Sequence, residues 1–211
     1  MRVDYQEAEL IPPEIKRRYE IFRGIFAQLD GSSISQNARE DGGIDGAEFT
    51  YGEIEFLHFL PLLKLAAPGS GGVFWDLGCG IGKPLIAAAI SGMQFREIYG
   101  VELLEGLYVA AKSAVEQYCD VIKPGKAANF KLFCQDMTEI DWSDADLVYI
   151  SSVCFPEALM KKLKEQGRKL KKGARIIALN DWKDEQHFKT IHMLKVKMTW
   201  GKANIYIAER I

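Results

Sequence analysis

Two carboxylates bracket a glycine-rich turn in this chain, and residue types in that arrangement suit a nucleotide-sized ligand. Asp76 opens the run Asp76-Leu77-Gly78-Cys79-Gly80-Ile81-Gly82-Lys83, and Tyr99-Gly100-Val101-Glu102 ends in the second acid. The apolar residues Gly72-Val73-Phe74-Trp75 ahead of the turn read as a buried parallel strand. Glycine at 78, 80 and 82 allows a tight turn and close approach of a ligand to the backbone. Pro84 fits the first turn of a following helix, where a missing N–H costs nothing, and Gly92 suits its end.

The spacing G-x-G-x-G departs from the dinucleotide fingerprint, and Asp76 stands at the strand end where it would repel a pyrophosphate. A carboxylate there suits an ammonium or sulfonium centre, and Glu102 at the end of the next strand suits the two hydroxyls of a ribose. S-adenosylmethionine has both groups and is the expected cofactor, with S-adenosylhomocysteine as product. Gly78, Gly80, Gly82 and Lys83 belong to the same expected cofactor site. A dehydrogenase cofactor, another nucleotide and a ligand-free structural turn are the alternatives.

These residues need a scaffold, and the pattern of the chain supplies one. Strands are expected near 73–77, 98–102, 129–134, 146–151, 174–180, 190–199 and 203–209, with helices near 83–91, 104–121 and 156–170. This is an α/β chain with a Rossmann-like, seven-stranded, mostly parallel sheet that ends in an antiparallel hairpin turning at Trp200-Gly201-Lys202-Ala203. In such a sheet the ligand lies beyond the carboxyl ends of the strands, which here brings Asp76, Glu102, Asp136 and Ser151-Ser152 together. Asp136 can accept from an adenine amino group, while Met137 can donate its backbone N–H or cover the ring.

An N-terminal helical extension precedes the sheet. Ile15, Tyr19, Phe22, Phe26 and Leu29 recur at helical spacing over 14–29, and a second apolar helix is expected over 54–66, ahead of the breaker Pro68-Gly69-Ser70-Gly71-Gly72. Between them, 30–50 is rich in Gly, Ser, Asp and Asn and reads as a mobile loop of the kind that serves as a lid. The expected division is 1–50 as helix and loop and 51–211 as the methyltransferase domain.

Composition narrows the function. The 211 residues carry a net charge of −2, so nucleic-acid binding would require a local basic patch. Lys161, Lys162, Lys164, Arg168, Lys169, Lys171 and Lys172 form such a run, but a run of this kind, interrupted by Glu165, is more often a solvated helix face. Four dispersed cysteines without a C-x-x-C pair and three histidines argue against a metal site and fit reduced thiols in a nuclear or cytoplasmic protein. No apolar run is long enough to span a bilayer, so no membrane partner is expected.

Phe49-Thr50-Tyr51-Gly52-Glu53-Ile54, just ahead of the first strand, resembles the Tyr-Gly-Glu loop of the disruptor-of-telomeric-silencing histone-lysine methyltransferases. Tyr99–Glu102, Ser151–Glu157 and Met198–Ile207 resemble further segments of that family in the same order. The resemblance implies methyl transfer to a lysine of a protein substrate of the histone or nucleosome kind. It also implies that Tyr51, Glu53, Asp76, Gly78, Gly80, Glu102, Asp136 and Met137 contact the cofactor and that Phe155, Trp200 and Tyr206 wall a lysine channel. Tyr51, Glu53, Ser151, Ser152, Phe155 and Tyr206 are the catalytic candidates, with Ser151 also a cofactor contact. The chain departs from the family where a cofactor-facing asparagine is replaced by Ser151 or Ser152, and where a tyrosine pair becomes Ile205-Tyr206.

Two other readings stay open. An RNA or small-molecule methyltransferase is disfavoured by the lack of an Asn/Asp-Pro-Pro-aromatic motif, because Ser152-Val153-Cys154-Phe155 stands in its place. A non-catalytic S-adenosylmethionine-binding module draws support from the missing asparagine. Tyr51 can equally be a packed aromatic and Glu53 a helix N-terminal acid, and Trp200 and Tyr206 can be ordinary strand aromatics.

Overall fold

The computed structural model describes residues 13–66, 69, 71–122 and 128–211. Seven strands, β1 (Val73–Leu77), β2 (Glu97–Glu102), β3 (Asn129–Cys134), β4 (Leu147–Ile150), β5 (Arg175–Ala178), β6 (Phe188–Met198) and β7 (Gly201–Arg210), form one sheet in the order β3-β2-β1-β4-β5-β7-β6. The first five run parallel, and β7 enters antiparallel between β5 and β6. The order reverses at β1 and β4, so the crevice for a ligand opens beyond their carboxyl ends.

Among the described residues six α-helices accompany the sheet: α1 (Pro13–Phe26), α2 (Gly31–Gly42), α3 (Phe56–Ala66), α4 (Lys83–Ile90), α5 (Glu105–Val121) and α6 (Glu157–Gly167). Alternation along β1 sends Phe74 into one core layer with α3, α4 and α5, and Trp75 and Leu77 into the other with α6. The first layer is the larger, and α1 adds Phe22, Ile25 and Phe26 to it. Phe59 on α3 is fully buried, its ring 4.8 Å from that of Tyr149 on β4. Among the described residues no helix is long and apolar enough to cross a membrane.

Two expectations need correction, and part of a third lies outside the described residues. The segment 30–50 is not a continuous loop, because Gly31–Gly42 is helical. Asp30 caps it by accepting from the N–H groups of Ser32 and Ser33, and Gly43, at φ 58°, ends it in the left-handed conformation. Its narrow apolar stripe docks on α5 at Gly106, where a Cβ would lie 3.2 Å from Ala38 and 3.5 Å from Ile34. Composition alone undervalued that contact. The hairpin turn sits at Thr199-Trp200, two residues early, and Gly201 and Lys202 already belong to β7. The breaker at 68–72 falls partly outside the described residues.

Because Phe59 joins α3 to the strand that floors the crevice, Phe59→Ala should destabilise the fold by about 3–5 kcal/mol through lost burial and a residual cavity. The midpoint of urea denaturation measures it.

Candidate functional site

Glu102 is the fastening point of the glycine turn. It is 8% exposed, and its Oε2 accepts from the N–H of Gly80 at 2.9 Å while Oε1 accepts from the N–H of Leu104 at 3.0 Å. One carboxylate thus ties the turn after β1 to the start of α5. Burial raises the Glu102 pKa and the backbone hydrogen bonds oppose that rise. Gly78, Gly80 and Gly82 take φ of 85°, 55° and 85°, a region that L side chains avoid.

The turn opens onto a cavity of about 270 Å³, near the lower end of ligand-sized pockets. Tyr51, Glu53, Gly78, Gly80, Lys83, Glu102, Asp136, Met137, Ser151 and Phe155 line it together. Ten of the residues singled out in the sequence therefore converge. Leu103, Leu104 and Leu107 supply an apolar wall, and Asp136 accepts from the N–H of Thr138 at 2.7 Å.

Five expected residues lie elsewhere, Trp200 among them, packed over Gly52. Gly82 faces α5 rather than the cavity, since a Cβ there would come within 3.3 Å of the Ala111 Cβ. Ser152 is fully buried and its hydroxyl donates to Asn180 at 3.3 Å, so of the two serines only Ser151 reaches the cavity. Tyr206 lies along the hairpin opposite Ala178 and Met193. It is absent from the cavity wall because β7 is separated from β4 by β5. Asp76 is beneath the wall, paired in register with Tyr149.

That position makes Asp76 the most unusual group in the fold. It is fully buried and neither carboxylate oxygen has a hydrogen-bond partner. Burial and the nearby charge of Glu102 push its pKa well above the usual carboxylate range. The Tyr149 hydroxyl, buried on the cavity wall, also lacks a partner of good geometry; burial and the Asp76 charge push its pKa up, and the nearby Ser151 side chain opposes that rise. The Ser35 hydroxyl of α2 is a third unpartnered polar group, and Ser35 lines the cavity too. Uncompensated buried polar atoms are rare, and an ammonium-bearing ligand fits this set.

A strap closes one side. The Tyr51 hydroxyl donates to Glu53, which also pairs with the Lys83 ammonium. Burial and the Glu53 charge push the Tyr51 hydroxyl pKa up. The Tyr51 ring fills space that glycine leaves open, since a Cβ on Gly31 would sit 2.1 Å from its hydroxyl and one on Gly80 would sit 3.0 Å from its ring. Beyond it, the Thr199 N–H donates to the Glu53 carbonyl at 3.0 Å, and Ile54 bridges to Met198. Trp200 lies over Gly52, whose Cβ would be 2.6 Å from the indole nitrogen.

Tyr149, Ser35 and Asn180 escaped the reading of the sequence. Tyr149 stands two residues before Ser151 on the same face of β4, which is a legible signal. Nothing local marks Ser35 or Asn180.

Comparison with known proteins gives the family and the fold. Residues 44–202 match the family model described as "Histone methylation protein DOT1". The H3 lysine-79-specific histone-lysine N-methyltransferase of Aspergillus fumigatus is 27% identical over 192 residues; the match takes in 84% of this chain and 37% of that protein. The chain therefore spans well under half the length of that relative. Among solved structures, magnesium protoporphyrin IX methyltransferase from Synechocystis superposes with a TM-score of 0.54 at 14% identity, over 92% of this chain and 94% of the other. A tRNA methyltransferase from B. subtilis gives a TM-score of 0.54 at 19% identity over 71% and 64%. These two similarities speak to the fold alone.

The orphaned carboxylate has a pH signature. The native state holds the Asp76 proton to higher pH than the unfolded chain, whose aspartates titrate near about 3.9. The contribution of Asp76 to stability without ligand is therefore full below that value and is lost as pH rises past it. Asp76→Asn should flatten this slope, as read from denaturation midpoints between about pH 4 and 8.

Proposed function

Since the chain belongs to the DOT1 histone methylation family and carries the Rossmann-like methyltransferase fold, we propose that it transfers a methyl group from S-adenosylmethionine to a lysine amine of a protein, in the manner of a histone-lysine methyltransferase. The observation that carries this reading is the Tyr51-Gly52-Glu53 strap: it joins the glycine turn through Lys83 and the C-terminal hairpin through Thr199, at one cavity. Histones and nucleosomes are the proposed substrate, reached in the nucleus or cytoplasm.

In this reading each polar group has a task. Asp76, with the hydroxyls of Tyr149 and Ser151 beside it, receives the ammonium of the cofactor. Lys83 exchanges Glu53 for the cofactor carboxylate, Glu102 accepts from the ribose, and Asp136 and Met137 hold the adenine. The bound cofactor supplies a methyl group on a cationic sulfur, open to in-line attack. The protein's part is to align the acceptor and exclude water. Phe155 and Trp200 line the approach. A lysine entering between apolar walls is held closer to its neutral, nucleophilic form by desolvation, and Glu53, relayed through Tyr51, accepts the proton it sheds.

The fit of the cofactor is tested through Glu102. Glu102→Ala removes the ribose acceptor and the clamp on Gly80, and S-adenosylhomocysteine should bind more weakly by about 1–3 kcal/mol. Isothermal calorimetry reads this; equal affinity would remove Glu102 from the ribose site.

The acceptor is tested by methyl transfer onto core histones, total soluble protein and total RNA, followed by mass spectrometry. Methyl-lysine is the expected product, and Tyr51→Ala should lower kcat far more than it weakens cofactor binding, because alignment matters most in the transition state. Methyl groups on RNA or metabolites with none on lysine would defeat the lysine reading and leave the family and fold standing.

A further inference from the structure

The buried residues of α2 are Gly31 and Ser35, whereas its apolar residues Ile34 and Ala38 are only partly buried. A surface helix ordinarily turns its apolar stripe inward. This one turns a glycine and a hydroxyl inward, one helical turn apart on the same face. Gly31 has an evident task, since the Tyr51 hydroxyl occupies the space that its missing side chain leaves.

Ser35 has no such task within the protein. It is 1% exposed and lines the cavity, yet its hydroxyl has no hydrogen-bond partner. A serine in a helix can return its hydroxyl to the carbonyl four residues back, and Ser35 does not. Burying a hydroxyl without a partner costs stability, and alanine at this place would avoid that cost. A ligand group arriving in the cavity would remove it.

The position of α2 indicates which group. At one end the helix meets Tyr51 through Gly31, and the Tyr51 ring also lies against Gly80. Further along, Ile34 and Ala38 meet Gly106 in the first turn of α5. Glu102 joins the same two places from below, because it accepts from the N–H of Gly80 on one side and from the N–H of Leu104 on the other. Ser35 belongs to the span of α2 between these anchor points, across the cavity from that carboxylate.

We propose that the Ser35 hydroxyl hydrogen-bonds a ribose hydroxyl of the cofactor, so that α2 and Glu102 hold the sugar from opposite sides. This rests on the cofactor reading given above and is independent of the methyl acceptor. A sugar hydroxyl can donate to the Glu102 carboxylate while it accepts from Ser35. With α2 docked the Ser35 hydroxyl is closed to solvent, so the helix lifts to admit the ligand and settles on it. It is lightly held: among the described residues, none of its side chains makes a hydrogen bond or ion pair outside residues 30–42.

The test is calorimetric titration of the intact chain and of Ser35→Ala with S-adenosylhomocysteine and with its 2′-deoxy and 3′-deoxy forms, alongside melting temperatures without ligand. The ligand-free variant should melt no lower than the wild type, because the hydroxyl it loses had no partner. It should bind S-adenosylhomocysteine about three- to tenfold more weakly, the worth of one hydrogen bond. Wild type and variant should bind one of the two deoxy forms equally, since that form lacks the partner of Ser35. Unchanged affinity for S-adenosylhomocysteine, the same loss with all three ligands, or a lower melting temperature without ligand would overturn the assignment of Ser35 and leave the cofactor reading standing. No binding of S-adenosylhomocysteine to the wild type would overturn both.

Discussion

The Glu102 carboxylate organises the ligand-facing end of this protein. By accepting from Gly80 and Leu104 it closes the turn after β1 against the start of α5. A buried carboxylate is costly without partners, and these hydrogen bonds are what allow Glu102 to remain at the cavity. Asp76, in contrast, is buried with no such compensation. The two acids that bracket the glycine turn therefore have different physical roles: one holds the scaffold, and the other is left without a hydrogen-bond partner.

The strap couples this turn to the far edge of the sheet. Tyr51 rests on two glycines, Gly31 and Gly80, and Glu53 reaches Lys83. The backbone of Glu53 and Ile54 pairs with Thr199 and Met198 at the top of β6. Three segments distant in sequence thus meet around the strap. A shift of the hairpin would move Gly52 through Trp200, and a ligand competing for Lys83 would release Glu53. These couplings give the segment the means to respond both to what fills the cavity and to what lies against the hairpin.

The replacement of an asparagine by serine acquires a physical reading here. Ser151 reaches the cavity and Ser152 does not, because Ser152 is turned into the core against Asn180. Ser151 lies beside the Tyr149 hydroxyl, so two small hydroxyls share the region below the strap. The pair can donate and accept, as a carboxamide can, and the departure from the family pattern therefore leaves hydrogen-bonding capacity in place.

The sequence by itself determined the sheet, the glycine turn and most of the cavity wall. Those features are encoded locally: apolar runs such as Val73–Leu77 form buried strands, glycines mark positive φ, and alternation of strand and helix constrains the topology. It did not determine α2, because the stability of that helix comes from Ile34 and Ala38 meeting Gly106, a contact invisible in composition. Tyr206 looked like a wall and Ser152 like a catalytic group for the same reason. Strand periodicity assigns a face, but which strands stand between a residue and the cavity depends on sheet order. Tertiary structure also decided that Asp76 has no partner while Glu102 has two, since burial and hydrogen-bond geometry arise only when the turn, β4 and α5 are brought together.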